Sequence, residues 1–202
     1  MTLWRGPSPL ILASQSRARQ TLLANAGIDF EVVPADIDER AVQRASRLSA
    51  PGEIAALLAR EKALSVSTRH HGRIVVGADQ TLALAFTLFS KPADRAQAKE
   101  QLRALAGRSH ELHSAVAVAR DDEILFEAAS IARMTMRQLG EADIDAYLGE
   151  AGRAVTSSVG AYQLEGLGVH LFERIEGDHF TILGLPLLQL LAFLRSERLL
   201  AV

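Results

Sequence analysis

Short apolar runs alternate with polar loops along the first part of this chain. Leu10-Ile11-Leu12-Ala13 is an unbroken apolar run and predicts a buried strand. The polar loop Ser14-Gln15-Ser16-Arg17-Ala18-Arg19 follows. Ala18 to Ala26, with Leu22 and Leu23 inward, predicts a helix, and Gly27 is placed to end it. Phe30-Glu31-Val32-Val33 predicts a strand stopped by Pro34. Asp36 to Arg47 is polar, without a clear period. Pro51-Gly52-Glu53 opens a helix running through Ile54, Leu57, Leu58, Ala63 and Leu64.

Arg73 to Ala78 predicts a strand that runs into Asp79, and Thr81 to Phe89 another strand or a hairpin. Pro92-Ala93-Asp94 starts a helix with Ala98, Leu102 and Leu105 on one face and Gly107 at its end. His110–Ala119 and Ile124–Met136 predict two strands joined at Asp121-Asp122. Glu141–Leu148 predicts a helix, Ser157–Gly168 a glycine-rich loop and Val169–Ile175 a strand. Leu185–Leu200 predicts a last helix with Pro186 in its first turn. Strands of both alternating and continuous apolar type argue for an α/β fold with a mixed sheet, read as one domain over residues 1–202.

Composition narrows the chemistry. Hydrophobic residues make up 49% of 202, enough to bury a sizeable core. A net charge of −2 indicates no large basic surface for nucleic acid, so any anion would be held by local basic loops. The chain has no cysteine, which excludes thiolate catalysis, disulfides and Cys-ligated metals. No apolar run reaches membrane-spanning length, and Pro9–Ala13 is too short for a signal-peptide core. The expectation is a cytoplasmic protein with neither membrane nor nucleic acid as partner.

The candidate chemistry sits in Ile74-Val75-Val76-Gly77-Ala78-Asp79-Gln80. A carboxylate at the end of a buried strand needs a counter-charge, because an unpaired buried charge is costly. Lys62 and Lys91, the latter in a Ser90-Lys91-Pro92 turn, are candidate partners, as are a divalent metal and a water to be activated. The Ser14–Arg19 loop joins a strand to a helix, where amides and side-chain donors favour anions. Each feature also has a plainer reading: Ser as an N-cap, Arg19, Lys62 and Glu31 as solvated surface, Asp79 as a turn cap. Asp36, Asp38 and Glu39 offer oxygen ligands to a hard metal or form a solvated loop. His110-Glu111-Leu112-His113 lacks the i, i+4 spacing of a zinc helix. Walker A and dinucleotide-binding glycine patterns are absent.

Taken in order, a set of segments resembles the Maf family of nucleoside triphosphate pyrophosphatases. These are Leu12–Arg19, Phe30-Glu31, Glu61-Lys62-Ala63, Gly77-Ala78-Asp79, Lys91-Pro92, Gly160-Ala161-Tyr162 with Glu165-Gly166, and Gly184-Leu185-Pro186-Leu187. The resemblance runs from about Leu10 to Leu194. It implies an elongated mixed sheet with flanking helices and two lobes around a deep cleft, similar to inosine triphosphate pyrophosphatases. It implies cleavage between the α- and β-phosphates with Mg²⁺ or Mn²⁺ as cofactor. Asp79 would activate water and, with Glu31, hold the metal. Ser14, Arg19, Lys62 and Lys91 would hold phosphates.

Gln80 and Glu165 resemble the subtype acting on 7-methyl-GTP, whereas the dTTP/UTP subtype usually has Thr and Gln there. The family's loop reads Ser-Pro-Arg-Arg or Ser-Pro-Trp-Arg. Ala18 departs from both, and Arg17, in the proline position, is the candidate to replace the lost contact. Thr81–Phe89 also lacks the family's usual glycine turn. A homodimer is compatible with the resemblance. The competing readings are a non-catalytic nucleotide-binding regulator of cell division and a phosphatase releasing orthophosphate.

Overall fold

The first apolar run forms strand β1 (Leu10–Leu12), buried along its whole length. In the computed structural model, which describes residues 3–202, it is followed by α1 (Arg17–Asn25), β2 (Phe30–Val32), α2 (Glu39–Ser46), α3 (Pro51–Ser67) and β3 (Val75–Leu84). β2 and β3 both pair in parallel with β1, with Ile11 opposite Glu31 on one side and Val75 on the other. Parallel neighbours need crossovers, which α1 on one side and α2–α3 on the other supply. The chain continues through β4 (Thr87–Phe89), α4 (Arg95–Leu105), β5 (Ser109–Arg120), β6 (Glu123–Met136), α5 (Glu141–Ala151), β7 (Phe172–Glu176), α6 (His179–Ile182) and α7 (Leu187–Ser196). The strand order is β2-β1-β3-β5-β6-β7, with β4 beside β3. β3–β4 and β6–β7 are antiparallel, so the mixed α/β sheet expected from the sequence is the one that forms.

Four local differences have physical causes. The polar stretch around Asp36–Arg47 contains helix α2, started by Asp38, whose side chain accepts the Ala41 amide at 2.9 Å. It escapes periodicity because none of its residues is buried. The strand entering Asp79 does not stop there but runs on to Leu84, then turns at Ala85 (φ 53°) into β4. A non-glycine residue in that left-handed conformation explains why no glycine marked the turn. Ser157–Gly168 holds short 3₁₀ segments, and β7 begins only at Phe172. Pro186 caps α7 from outside, and the short α6 precedes it. The Asp121-Asp122 turn holds, with both residues at positive φ as a tight hairpin between right-twisted strands demands.

The chain divides into two compact units. One comprises the chain through Gln80 with His113–Ser130 and His179–Val202; the other comprises Thr81–Leu112 and Ile131–Asp178. In the first, β3 alternates sides: Val76 and Ala78 join Leu10, Leu12, Leu22, Leu23, Leu190 and Leu194 in one apolar layer. Val75 faces the opposite way with Ile11, Ala13 and Val66 of α3. On that side α3 presents Ala55, Ala59 and Ala63 to Ala115, Ala117 and Ala119 of β5. In the second unit, His110 is buried between Tyr162 and Phe172 and meets the Tyr162 hydroxyl at 2.7 Å. Among the described residues no helix is long and apolar enough to cross a membrane.

Candidate active site

The site begins with a close approach. A Cβ on Gly77 would lie 2.1 Å from the Ala59 carbonyl oxygen and 2.6 Å from the Ala63 nitrogen. Only glycine lets β3 and α3 come this near, and Ala59 and Ala63 keep the helix surface equally bare. Two residues past Gly77, on the same face of β3, stands Asp79; three residues past Ala59 on α3 stands Lys62. The lysine Nζ meets Asp79 Oδ1 at 2.6 Å, and both side chains are buried. The plain reading of Lys62 as a solvated helix residue is therefore overturned: its stem lies against the sheet and its charge is used inside.

Glu39, the first residue of α2, reaches the same ammonium at 2.7 Å from its Oε1. Lys62 thus sits between two carboxylates from different elements. Burial pushes the Asp79 carboxyl above its usual range, while the nearby Lys62 and Arg19 charges pull it back.

Arg19 closes the other side. Its Nε donates to the Gly184 carbonyl at 2.7 Å, and its Nη1 donates to Ser14 Oγ at 3.0 Å and to the Ala78 carbonyl at 2.8 Å. Burial lowers this guanidinium's pKa, opposed by the charges of Asp79 and Glu39. No protein acceptor among the described residues takes Nη2, which leaves one prong of the fork for a ligand. Ser16 caps α1 by accepting the Arg19 amide at 3.4 Å, and Ser14 Oγ accepts the Ser16 amide at 3.3 Å. The amides of Arg17 and Ala18 remain without a protein acceptor at a helix N-terminus, the arrangement that favours an anion. Gly184 (φ 88°) allows this geometry, since a Cβ there would press on Arg19 at 3.3 Å.

Gln80 points to the sheet face opposite Asp79. Its Nε2 donates to Ser114 Oγ at 2.9 Å and lies 3.0 and 3.1 Å from the Thr181 and Ile182 carbonyls. With the amide nitrogen spent on protein acceptors, its Oε1 is the group left over.

The structure thus brings Ser14, Arg19, Lys62 and Asp79 together. It does not bring Glu31 to them. Glu31 is registered with Ile11 and Val75, four residues or about 13 Å of strand before Asp79. It is half exposed and pairs with Arg73 at 3.2 Å. Arg17 is exposed at the first position of α1. Lys91 and Glu165 belong to the second unit, where both are exposed, Lys91 before the buried Pro92 and Glu165 in a turn. The carboxylate that does reach the Asp79 pair, Glu39, was weighed in the sequence with Asp36 and Asp38 as an oxygen ligand to a hard metal or a solvated loop residue, but not as a partner of Lys62. The signal that could have found it was Asp38 as an N-cap, which makes residue 39 the first turn of a helix.

The chain is similar to known proteins along its whole length. A curated nucleoside triphosphate pyrophosphatase from Bradyrhizobium diazoefficiens is 71% identical over 100% of both chains. A 7-methyl-GTP pyrophosphatase from Brucella abortus is 51% identical over 94% of this chain and 96% of its own. Among solved structures, a HAM1 protein from Coxiella burnetii overlaps 63% of this chain and 72% of its own at a TM-score of 0.42 and 18% identity, too loose to bear on function. The Maf-like protein family matches residues 9–197, and with that span of the chain accounted for, the chain belongs to that family.

Proposed function

We propose that this chain hydrolyses a nucleoside triphosphate between its α- and β-phosphates, with Asp79 as the group that takes the proton from water. The observation that supports this reading is the buried Asp79 carboxylate in contact with Lys62 and in the field of Arg19. Water oxygen bonds to the α-phosphorus while the bond from that phosphorus to the α–β bridging oxygen breaks. The water proton passes to Asp79, and pyrophosphate leaves with the bridging oxygen, giving a nucleoside monophosphate. Arg19, Lys62 and the free amides at the start of α1 offset the charge on the phosphates. Ser14 fixes Arg19, and Lys91 is assigned to phosphate by the resemblance alone.

Two carboxylates converging on one ammonium also fit a hard divalent cation such as Mg²⁺ or Mn²⁺. Asp79 and Glu39 would hold it. When bound, it would supply further charge neutralisation on the phosphates. Glu31, ion-paired to Arg73 and away from Asp79, does not fit that donor set.

For the base we propose 7-methyl-GTP. Its support is the 51% identical relative of that name and the occurrence in this sequence of both Gln80 and Glu165, the latter a carboxylate that can accept hydrogen bonds from a guanine edge. The test is to incubate purified protein and Mg²⁺ or Mn²⁺ with 7-methyl-GTP, dTTP, UTP and ITP and to resolve the products. Monophosphate with pyrophosphate is expected, fastest from 7-methyl-GTP. Orthophosphate as the first product would overturn the cleavage site; a faster dTTP or UTP reaction would overturn the base assignment. No turnover by folded, metal-loaded protein would favour the binding regulator.

A further inference from the structure

Helix α2 carries an arrangement that the proposed chemistry does not use. Arg40, Arg44 and Arg47 follow one another at i, i+4 and i+7, which places them on one face over about 10 Å of helix. With Gln43 and Leu48 they line a hollow of about 400 Å³. All three are exposed, and no carboxylate among the described residues contacts any of them. What sets these three apart is their spacing on one helix face: some other arginines, such as Arg60 with Glu127 and Arg103 with Glu141, meet a carboxylate on a neighbouring element.

Local stability argues against the cluster. Arg40 and Arg44 are like charges one turn apart, which repel. Arg47 closes the helix with φ 57°, a left-handed position where glycine is the ordinary choice and a side chain is strained. The helix has 8 residues and buries none of them, so packing offers little to offset either effect. An anion lying along the face would remove the repulsion and give the Arg47 side chain a partner. The same helix begins at Glu39, which contacts Lys62, which contacts Asp79. The basic face therefore starts one residue from Glu39, which is linked to the candidate catalytic carboxylate through Lys62.

We propose that Arg40, Arg44 and Arg47 form a second anion site, distinct from the phosphate ligands at Asp79, that binds a condensed phosphate chain. Its occupant is inorganic pyrophosphate or the triphosphate tail of a nucleotide. This rests on the proposed pyrophosphatase reading for the source of the anion, not for its binding. Guanidiniums recognise phosphate oxygens through paired donors, and three at successive turns match a linear polyanion better than a single carboxylate.

The experiment is calorimetric titration of inorganic pyrophosphate into wild-type protein and into the R40Q/R44Q/R47G variant. Amide exchange of α2 is followed in parallel. Glycine at 47 suits the backbone, so the variant keeps its helix end. Two binding events are expected in the wild type, with slower exchange in α2 on saturation. The variant should weaken one event by about tenfold or more, a change of about 1.4 kcal/mol, and leave the other intact. Turnover in the variant should keep kcat unchanged within about twofold, with KM raised where the substrate tail is the occupant and unchanged where it is the released product. A single binding event unaffected by the substitutions would overturn this site and leave the pyrophosphatase reading standing. The pyrophosphatase reading is decided separately by its products, and no pyrophosphate binding at all would also overturn this site. An arginine-dependent affinity for single-stranded RNA, with pyrophosphate binding unchanged, would also overturn it. Triphosphate analogue binding that competes with pyrophosphate at the arginines supports the site and names the substrate tail as its source; absence of competition leaves the released product as the source.

Discussion

The carbonyl oxygen of Ala59 stands 2.1 Å from the point where residue 77 would carry a Cβ. The Lys62–Asp79 contact depends on that approach. Gly77→Ala should push α3 off β3 and separate the pair. We expect a loss of about 1–3 kcal/mol in stability from overpacking, with a larger proportional loss of turnover. Thermal melts and initial rates on the same preparation check this; wild-type values in both would show that the helix yields without moving Lys62.

Asp79→Asn keeps the size of the side chain and removes its capacity to take a proton. Turnover should fall by about 10²–10⁴-fold, with the melting temperature changed little. Burial raises the Asp79 carboxyl and Lys62 opposes the rise, so kcat/KM should climb with pH through a raised carboxylate titration. Lys62→Met should move that acid limb to higher pH, since it removes a positive charge that favours the ionised form. An acid limb that stays in place in Lys62→Met would show that another group sets it.

Glu39 and Glu31 give opposite forecasts. Glu39→Gln should weaken Mg²⁺ or Mn²⁺ dependence by about 10-fold or more, because a neutral oxygen replaces one of two carboxylates on the shared cation position. Glu31→Gln should leave it unchanged, having Arg73 as its partner. Metal titrations of the two variants, read as activity and as metal binding, decide between them. Metal affinity lost only in Glu31→Gln would restore the original assignment.

The second unit carries an acid sensitivity of its own. Burial lowers His110 from 6.5 to about 4, so the folded state resists its protonation while the unfolded chain accepts a proton near 6.5. The stability held by neutral His110 is full above 6.5 and drains as pH falls toward 4, by up to about 3 kcal/mol. Replacing both partners, as His110→Leu with Tyr162→Phe, avoids an orphaned hydroxyl and should flatten this slope. Urea midpoints at pH 7 and pH 4.5 measure it; equal slopes in both proteins would place the sensitivity elsewhere.

Strands and helices with an apolar period were legible in the sequence because burial writes the period: β1, α1, α3 and α4 lie where their hydrophobic spacing places them. Helix α2 was not, because nothing in it is buried and its start depends on one capping aspartate. Asp79, Lys62, Arg19 and Ser14 were readable as candidates from their loop and strand-end positions. Their convergence was not, because it follows from Gly77 meeting Ala59 across 18 residues of chain. Glu31 shows the reverse error. A glutamate on an edge strand looks available, but register fixes how far along the sheet it sits, and register is a property of pairing that one strand's residues do not state.

The alanine face of α3 has a consequence for precision. Ala55, Ala59 and Ala63 have no side-chain torsions, and neither do Ala115, Ala117 and Ala119 opposite them. A contact made of leucines can absorb a small shift by changing rotamers; this one has none to change. Any displacement of the helix is therefore a displacement of Lys62 by the same amount. The Cα of Lys62 is thus positioned by backbone against backbone, and only its own buried stem is left to adjust the ammonium against Asp79.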